Sequence, residues 1–319
     1  MTGNLEKLIR VLGEPVEDPE EETFDLFSQS LPSQNLGFID SKAQTLDLTI
    51  AGRDLTIHQS PAVLSSNRAG GTTGAVVWKI SPLFSAFISS PTSPLFTSSL
   101  LSPFSTVIEL GCGISALVGL LLAPRVFRYV LTDQSYVAKL VEQNIAENHS
   151  SSSRSTSNSG KKSKSKKPSS STGVVVVGGG GGGAGGGELL FKPLDWETSK
   201  VSLGEWGSYD LLIATDCIYN DALIEPLVDT CVDVCRLRSL ENDEQSEGGE
   251  RKEPTVCVIA QQLRDDTVFE GWLRKFMEGF VVWRCADEKL PEGFRTGDGF
   301  VVHFGVLKEE YEKMRFGDE

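Results

Sequence analysis

Residues 107–122 constrain this chain more than any others: a strand pattern, Val107 to Leu110, breaks into Gly111-Cys112-Gly113, and a helical pattern follows from Ser115 to Leu122. A strand that ends in glycines and turns into a helix opens a βαβ unit, because glycine lets the backbone turn tightly and approach a ligand closely. The alternation then continues. Strands are predicted at Tyr129–Leu131, Leu189–Phe191, Asp210–Ala214 and Thr255–Ala260, with helices at Tyr136–Ala146, Leu223–Leu237 and Val268–Met277. Two closing strands, Phe280–Arg284 and Phe300–Leu307, flank a turn-rich stretch. This order predicts an α/β fold with a mostly parallel sheet covered on both faces, an antiparallel carboxyl-terminal edge, and ligands at the carboxyl ends of the strands.

Charge and composition settle the layout around that sheet. The chain has 319 residues and a formal net charge of −14. Acidity argues against general nucleic-acid binding, which rests on Lys and Arg neutralising phosphates, and favours a basic partner if the partner is macromolecular. Residues 1–35 read as an acidic N-terminal segment, with Glu20, Glu21 and Glu22 consecutive and one helical face in Leu5, Leu8, Ile9 and Leu12. Residues 36–105 read as an N-terminal extension. In it Leu46, Leu48 and Ile50, an Ala51-Gly52 turn, then Leu55 and Ile57 predict a β-hairpin, and Leu83, Phe84, Phe87 and Ile88 a helix. The main domain, 106–307, carries two interruptions. Residues 149–187, rich in Ser, Lys and Gly, are expected to be a disordered insertion, since they offer too little apolar surface to offset ordering. Their lysines, Lys161, Lys162, Lys164, Lys166 and Lys167, are the only expected route to nucleic acid. Residues 241–253 read as an exposed acidic loop and 308–319 as a C-terminal tail.

The six cysteines show neither a disulfide framework nor paired zinc spacing, and His58, His149 and His303 are scattered, so no metal site is expected. A reducing compartment follows, the cytoplasm first and the nucleus second. The amino terminus has no apolar signal core, and no segment reaches the roughly 18 apolar residues of a membrane span. No membrane association and a monomeric state are expected.

The glycine turn alone leaves three readings open. Asp133, 20 residues after Gly113 at the end of the next strand, is placed to accept hydrogen bonds from ribose hydroxyls. Ala116 completes a G-x-G-x-x-A pattern that also serves nicotinamide and flavin nucleotides, and a purely structural turn is the third reading. Two features shift the balance. Glu109, two places before the first glycine, is unwelcome beside a pyrophosphate but comfortable near ammonium and sulfonium charges. Asp216-Cys217-Ile218-Tyr219 puts a carboxylate and a phenol where the sheet opens, able to hold a reacting amine; a helix cap and a half-buried aromatic are the plainer alternative.

Val77 to Ser81, Glu109 to Ser115, Leu131 to Gln134, Leu194 to Trp196 and Asp210 to Asn220 together resemble the S-adenosylmethionine-dependent protein lysine methyltransferases of the seven-strand class. Within that class the chain is similar to the fungal ribosomal lysine N-methyltransferase 5 group, most of all in Leu131–Gln134 and Asp216–Asn220. The resemblance runs over roughly residues 36–307, apart from the two interruptions. It implies a Rossmann-like seven-strand sheet, S-adenosylmethionine as cofactor, and methyl transfer to a lysine of a basic protein, a large-subunit ribosomal protein by that likeness. It also implies roles: Gly111, Cys112 and Gly113 at the methionine part of the cofactor, beside which the charge argument above puts Glu109 as a further cofactor contact; Asp133 at the ribose; Trp78 against the cofactor. Asp195 and Trp196 would flank the adenine, Thr215 would give a backbone contact, and Asp216 and Tyr219 would be the catalytic pair. Cys112 departs from the small residue usual between the glycines. Cofactor motifs do not read the acceptor, so a small-molecule or other protein nucleophile, or a non-catalytic binding module, stays open.

Overall fold

The computed structural model describes residues 3–32, 37–67, 71–151, 187–244 and 251–316. Helix α1 (Asn4–Leu12) buries Leu5, Leu8 and Leu12, the stripe its spacing predicts. Helix α2 (Pro19–Phe27) starts at Asp18, whose carboxylate accepts from the backbone N–H groups of Glu20 and Glu21, with Pro19 at the first position where no N–H is needed. Strands β1 (Thr45–Ile50) and β2 (Arg53–His58) form an antiparallel hairpin through Ala51 and Gly52, both at positive φ as a type I′ turn requires. The short helix α3 (Pro61–Leu64) precedes α4 (Ile80–Ser89) and α5 (Pro94–Thr97).

The alternating part follows: β3 (Thr106–Leu110), α6 (Leu117–Leu122), β4 (Arg128–Asp133), α7 (Ala138–Ser151), β5 (Glu188–Pro193), α8 (Leu203–Trp206) and β6 (Leu211–Thr215). Then come α9 (Ile224–Glu244), β7 (Val256–Gln262), α10 (Asp266–Gly279), β8 (Phe280–Arg284), β9 (Phe300–Leu307) and α11 (Lys308–Phe316). These strands make one seven-stranded sheet in the order β5-β4-β3-β6-β7-β9-β8. The first five are parallel, and β9 is antiparallel to both β7 and β8. The expected mixed sheet with its antiparallel carboxyl-terminal edge, and the separate hairpin, are therefore both present.

Strand alternation divides the core in two. Val107, Leu131, Ile213 and Val258 face α4, α6 and α7, while Ile108, Val130, Leu212 and Cys257 face α9 and α10. The chain runs from β3 outward through β4 to β5, then crosses back to β6 on the other side of β3. That reversal opens a crevice at the carboxyl ends of β3 and β6. One wall of the crevice is braced by α7. Asn144 and Asn148 pair with the edge strand β2, accepting from the N–H groups of His58 and Thr56, and Asn144 also donates to the carbonyl of Ile114 in the glycine turn.

The structure differs from the sequence expectation at two charged stretches. Residues 241–244, expected in an acidic loop, are the last turn of α9. Asn242 there exchanges two hydrogen bonds with the backbone of Lys252, and Glu241 accepts from Ser208 and from the Lys252 ammonium, so the acidic turn is held by partners that periodicity does not show. Residues 308–316, expected as a tail, form α11, whose Tyr311 meets Trp283 edge-on at 5.4 Å. Residues 152–186, with the lysines of the insertion, and 245–250 lie outside the described residues. No helix of the described residues is long and apolar enough to cross a membrane, and they hold no group of three or more His, Cys, Asp or Glu able to bind a metal ion.

Candidate active site

The crevice is a cleft of about 850 Å³, open mouth included. Ten of the eleven residues singled out from the sequence line it, contributed by five separate stretches. Trp78 comes from the segment before α4. Gly111, Cys112 and Gly113 follow β3, and Asp133 ends β4. Asp195 and Trp196 follow β5, while Thr215, Asp216 and Tyr219 come from the end of β6. Each parallel strand delivers its residues to the same edge of the sheet, which is why Gly111 and Tyr219, 108 residues apart in the chain, share one surface.

Gly111 and Gly113 adopt φ of +68° and +57°, in the left-handed region. A Cβ on Gly111 would lie 2.6 Å from the Cys217 sulfur and 3.1 Å from the Trp196 ring, and one on Gly113 would lie 3.2 Å from the Gly74 carbonyl. Glycine is thus required at both positions by conformation and by space. The amides of this turn are already engaged: Cys112 N–H donates to the Thr132 carbonyl, Gly113 N–H to Asp133 Oδ2 at 2.9 Å, and Ile114 N–H to the Gly74 carbonyl. A pyrophosphate needs those amides free, together with a helix amino terminus. No Lys or Arg of the described residues lines the cleft, whereas Asp133, Asp195, Glu197 and Asp216 do. The nicotinamide and flavin readings therefore lose their physical basis, and a ligand carrying positive charge gains one.

Two groups of the cleft have polar atoms that lack a partner among the described residues. Trp196 Nε1 and Thr215 Oγ1 are buried without a hydrogen bond, which is costly unless a ligand supplies one. Asp133 accepts from Gly113 N–H at 2.9 Å and from Gln134 N–H at 2.7 Å, which holds its carboxylate at the end of β4 against the glycine turn. Asp195 Oδ1 accepts from the Glu197 N–H, and the Asp195 N–H donates to Ser199, so this carboxylate shapes the turn that carries Trp196. Burial, then the charge of Asp133, pushes the Cys112 and Cys217 thiols well above their ordinary range, so both stay protonated.

Asp216 has φ +59°, rare for a residue with a side chain, and its carboxylate is paired with Arg264. Tyr219 is 40% exposed; its oxygen accepts from Thr73 at 3.1 Å, and burial raises its pKa. Trp78 Nε1 donates to the Thr73 carbonyl, which fixes the ring at the cleft wall.

Glu109 does not reach the cleft. Alternation along β3 puts its side chain on the face of Val107, where it is 3% exposed and accepts from the Tyr129 hydroxyl at 2.7 Å. It borders only a small cavity beneath the glycine turn. Burial, reinforced by Asp133 and opposed by the Tyr129 hydrogen bond, raises its pKa to about 7. Its expected place among the cofactor contacts is corrected accordingly. Sequence reasoning also missed Thr73, Gly74, Tyr136 and Arg264. The run Gly70 to Gly74 was a readable loop signal just before Trp78, and Arg264 follows the carboxyl end of β7, the edge where ligands bind.

Comparison with known proteins places this geometry. The sequence model of the lysine methyltransferase family matches residues 58–160 and 184–240. Two relatives, each a ribosomal lysine N-methyltransferase 5, come from Zygosaccharomyces rouxii (30% identical, over 74% of this chain and 74% of that protein) and Candida glabrata (25% identical, 77% and 84%). A third, from Schizosaccharomyces pombe, is named diaminohydroxyphosphoribosylamino-pyrimidine deaminase; it is 29% identical over 84% of this chain, which spans about half (53%) of its length. With the family match extending over half of its residues, the chain belongs to the lysine methyltransferase family of S-adenosylmethionine-dependent enzymes.

Proposed function

We propose that this chain transfers a methyl group from S-adenosylmethionine to the side-chain amine of a lysine in a basic protein, a protein of the large ribosomal subunit. The observation that carries the reading is the cleft itself: four carboxylates, of which Asp216 is paired with Arg264, no Lys or Arg lining it among the described residues, two aromatic residues at its acceptor end, and polar atoms of Trp196 and Thr215 without a partner among those residues. Two relatives named as ribosomal lysine methyltransferases supply the ribosomal part. Such a substrate places the reaction in the cytoplasm or nucleus.

Gly111, Cys112 and Gly113 would receive the methionine part of the cofactor, Asp133 the ribose hydroxyls, and Trp196 with the Asp195 turn the adenine. When bound, S-adenosylmethionine supplies a methyl group on a sulfonium, whose departure as a neutral thioether needs no acid. The protein must then present a neutral amine in line and exclude water. A lysine amine ordinarily keeps its proton up to about pH 10.4, and desolvation between Trp78 and Tyr219 favours the neutral form. Asp216 would accept one N–H of that amine and aim its lone pair. Tyr219, its phenol held protonated by burial, serves as wall and hydrogen-bond partner rather than base.

The test is a lysate lacking this protein, incubated with the recombinant chain and labelled S-adenosylmethionine, then resolved by mass spectrometry. One labelled lysine in a large-subunit ribosomal protein is the expected result. Label in a metabolite would reassign the acceptor, and no label at all would overturn the enzymatic reading.

A further inference from the structure

The cation beside Asp216 has no part in the chemistry above, yet the structure builds a seat for it. Arg264 Nη1 and Nη2 donate to Asp216 Oδ1 and Oδ2 at 2.7 Å each, a two-pronged pair. Nη2 also donates to Gln262 Oε1 at 2.8 Å, and the Gln262 N–H donates to Asp216 Oδ1 at 3.3 Å. The guanidinium carbon stands 5.1 Å from the centroid of the Trp78 ring, and Phe38 packs against that ring with centroids 4.4 Å apart. Gly37, at φ +87°, closes over the group where a Cβ would come within 2.8 Å of Arg264 Nη2. The Asp216 side chain is 4% exposed and that of Arg264 24%. A buried ion pair is a weak stability device, and this one is held on a left-handed aspartate at the cleft wall. Its placement suits the reaction better than the fold.

We propose that Arg264 is a positioning residue for methyl transfer: it fixes the Asp216 carboxylate toward the cleft and cancels its charge, so that the acceptor end receives a neutral amine. The inference rests on the reading of Asp216 as the group that aims the acceptor. A bare carboxylate would pair with an ammonium ion and hold its proton in place; a carboxylate neutralised by arginine still accepts an N–H hydrogen bond but no longer favours the cation. The other titratable groups facing this space are Asp133 from β4, Asp195 and Glu197 after β5, Tyr136, Tyr219 and the thiols of Cys112 and Cys217. All of them persist in the variants below, so a change there reports the Arg264–Asp216 charge.

The charge can be read without an acceptor by calorimetry with two probes: S-adenosylhomocysteine, and sinefungin, which carries a primary amine in place of the methyl sulfonium. For Arg264→Met at pH 7.5, affinity for S-adenosylhomocysteine should stay within about threefold of wild type while the preference for sinefungin over it rises about tenfold. Arg264→Gln, which keeps polarity without charge, should behave likewise. Arg264→Lys and the double variant Arg264→Met/Asp216→Asn should return the preference to the wild-type value, and the excess should vanish as pH rises through the range where the probe's amine loses its proton. An unchanged preference in both neutral variants, with S-adenosylhomocysteine still bound, would overturn the role of Arg264 alone. Wild-type turnover by Asp216→Asn in the labelled-lysate assay would instead remove the reading beneath it.

Discussion

Two buried carboxylates, one at each end of the sheet's chemistry, are each held by a cation, and the contrast between them separates what serves the fold from what serves the site. At the antiparallel edge, Glu22 of α2 meets His303 of β9 at 2.9 Å and Arg284 of β8 at 3.1 Å. All three lie in regular helix or strand, His303 is fully buried, and the rings of Phe269 and Trp272 pack against it. At the cleft, Asp216 meets Arg264 from a left-handed backbone, beside glycines at positive φ and indole and hydroxyl groups without partners. Positive backbone φ marks the cleft, at Gly111, Gly113 and Asp216, whereas the edge pair ties an N-terminal helix to the sheet through regular backbone; buried polar atoms without a partner among the described residues occur at both, Trp196 Nε1 and Thr215 Oγ1 at the cleft and His303 Nδ1 and Trp283 Nε1 at the edge.

The largest effects should divide along that line. Asp216→Asn is expected to lower methyl transfer about a hundredfold or more, since a misaimed acceptor loses the in-line geometry, while S-adenosylhomocysteine affinity changes little and stability falls only as far as the loss of the Arg264 counter-charge requires. Glu22→Ala should do the opposite: about 3 kcal/mol of stability lost in urea titrations at pH 7, because Arg284 loses its counter-charge and buried His303 its hydrogen-bond partner, with cofactor affinity retained. Burial raises the pKa of Glu22, but the His303 hydrogen bond and the charges of His303 and Arg284 outweigh it, so the net shift is downward. The sign follows from proton linkage. The stabilisation is fully present above the unfolded value near 4.5 and is lost as pH falls through the lower folded value, so the gap between wild type and variant should close in acid. A loss of activity in Glu22→Ala as large as in Asp216→Asn would erase the distinction.

Glycines sharpen the same contrast at intermediate size. Gly111→Ala must hold φ +68° and crowd the Cys217 sulfur and the Trp196 ring. It should weaken S-adenosylhomocysteine binding at least about tenfold and cost about 1–3 kcal/mol. Gly305→Ala, on β9, would bring a Cβ within 2.8 Å of the Phe276 ring. That variant should lose stability and keep cofactor affinity. Equal affinity losses in the two would show that the cleft responds to general softening of the sheet.

What could be read from the sequence follows the range of the interactions involved. Strand and helix periodicity and the glycine turn are local, so the sheet and its switch point were legible. The ten cleft residues were named through a resemblance that strings together five short segments, and the parallel strands bring those segments to one edge. Arg264 escaped because its partner lies 48 residues away, and Thr73 because Tyr219 lies 146 away. The end of α9 was read as loop because its charged residues show no apolar period, although Arg238 and Asn242 are buried. Glu109 was misplaced for a different reason: closeness in sequence to Gly111 suggested the ligand, whereas alternation along β3 sends it to the opposite side of the turn, against Tyr129.

Glu109 offers the smallest and cleanest test, because it is a buried carboxylate that meets a phenol and no cation among the described residues. Its folded pKa of about 7 lies above the unfolded value near 4.5, so the folded state binds the extra proton between these two values. Stability from this group is therefore fully present below about pH 4.5 and is lost as pH rises through about 7, the reverse of Glu22. Glu109→Gln removes the titration, but its amide N–H groups would be buried without partners, which offsets much of the gain. The expected net result is a melting temperature higher than wild type by about 2–4 °C at pH 8, with little or no advantage at pH 5. Parallel melting curves for the two proteins from pH 5 to 8 would show that Glu109 is not the group that titrates. A larger advantage would show that the cavity beneath the glycine turn hydrates the amide, making it a water site bordering the cofactor rather than dry core.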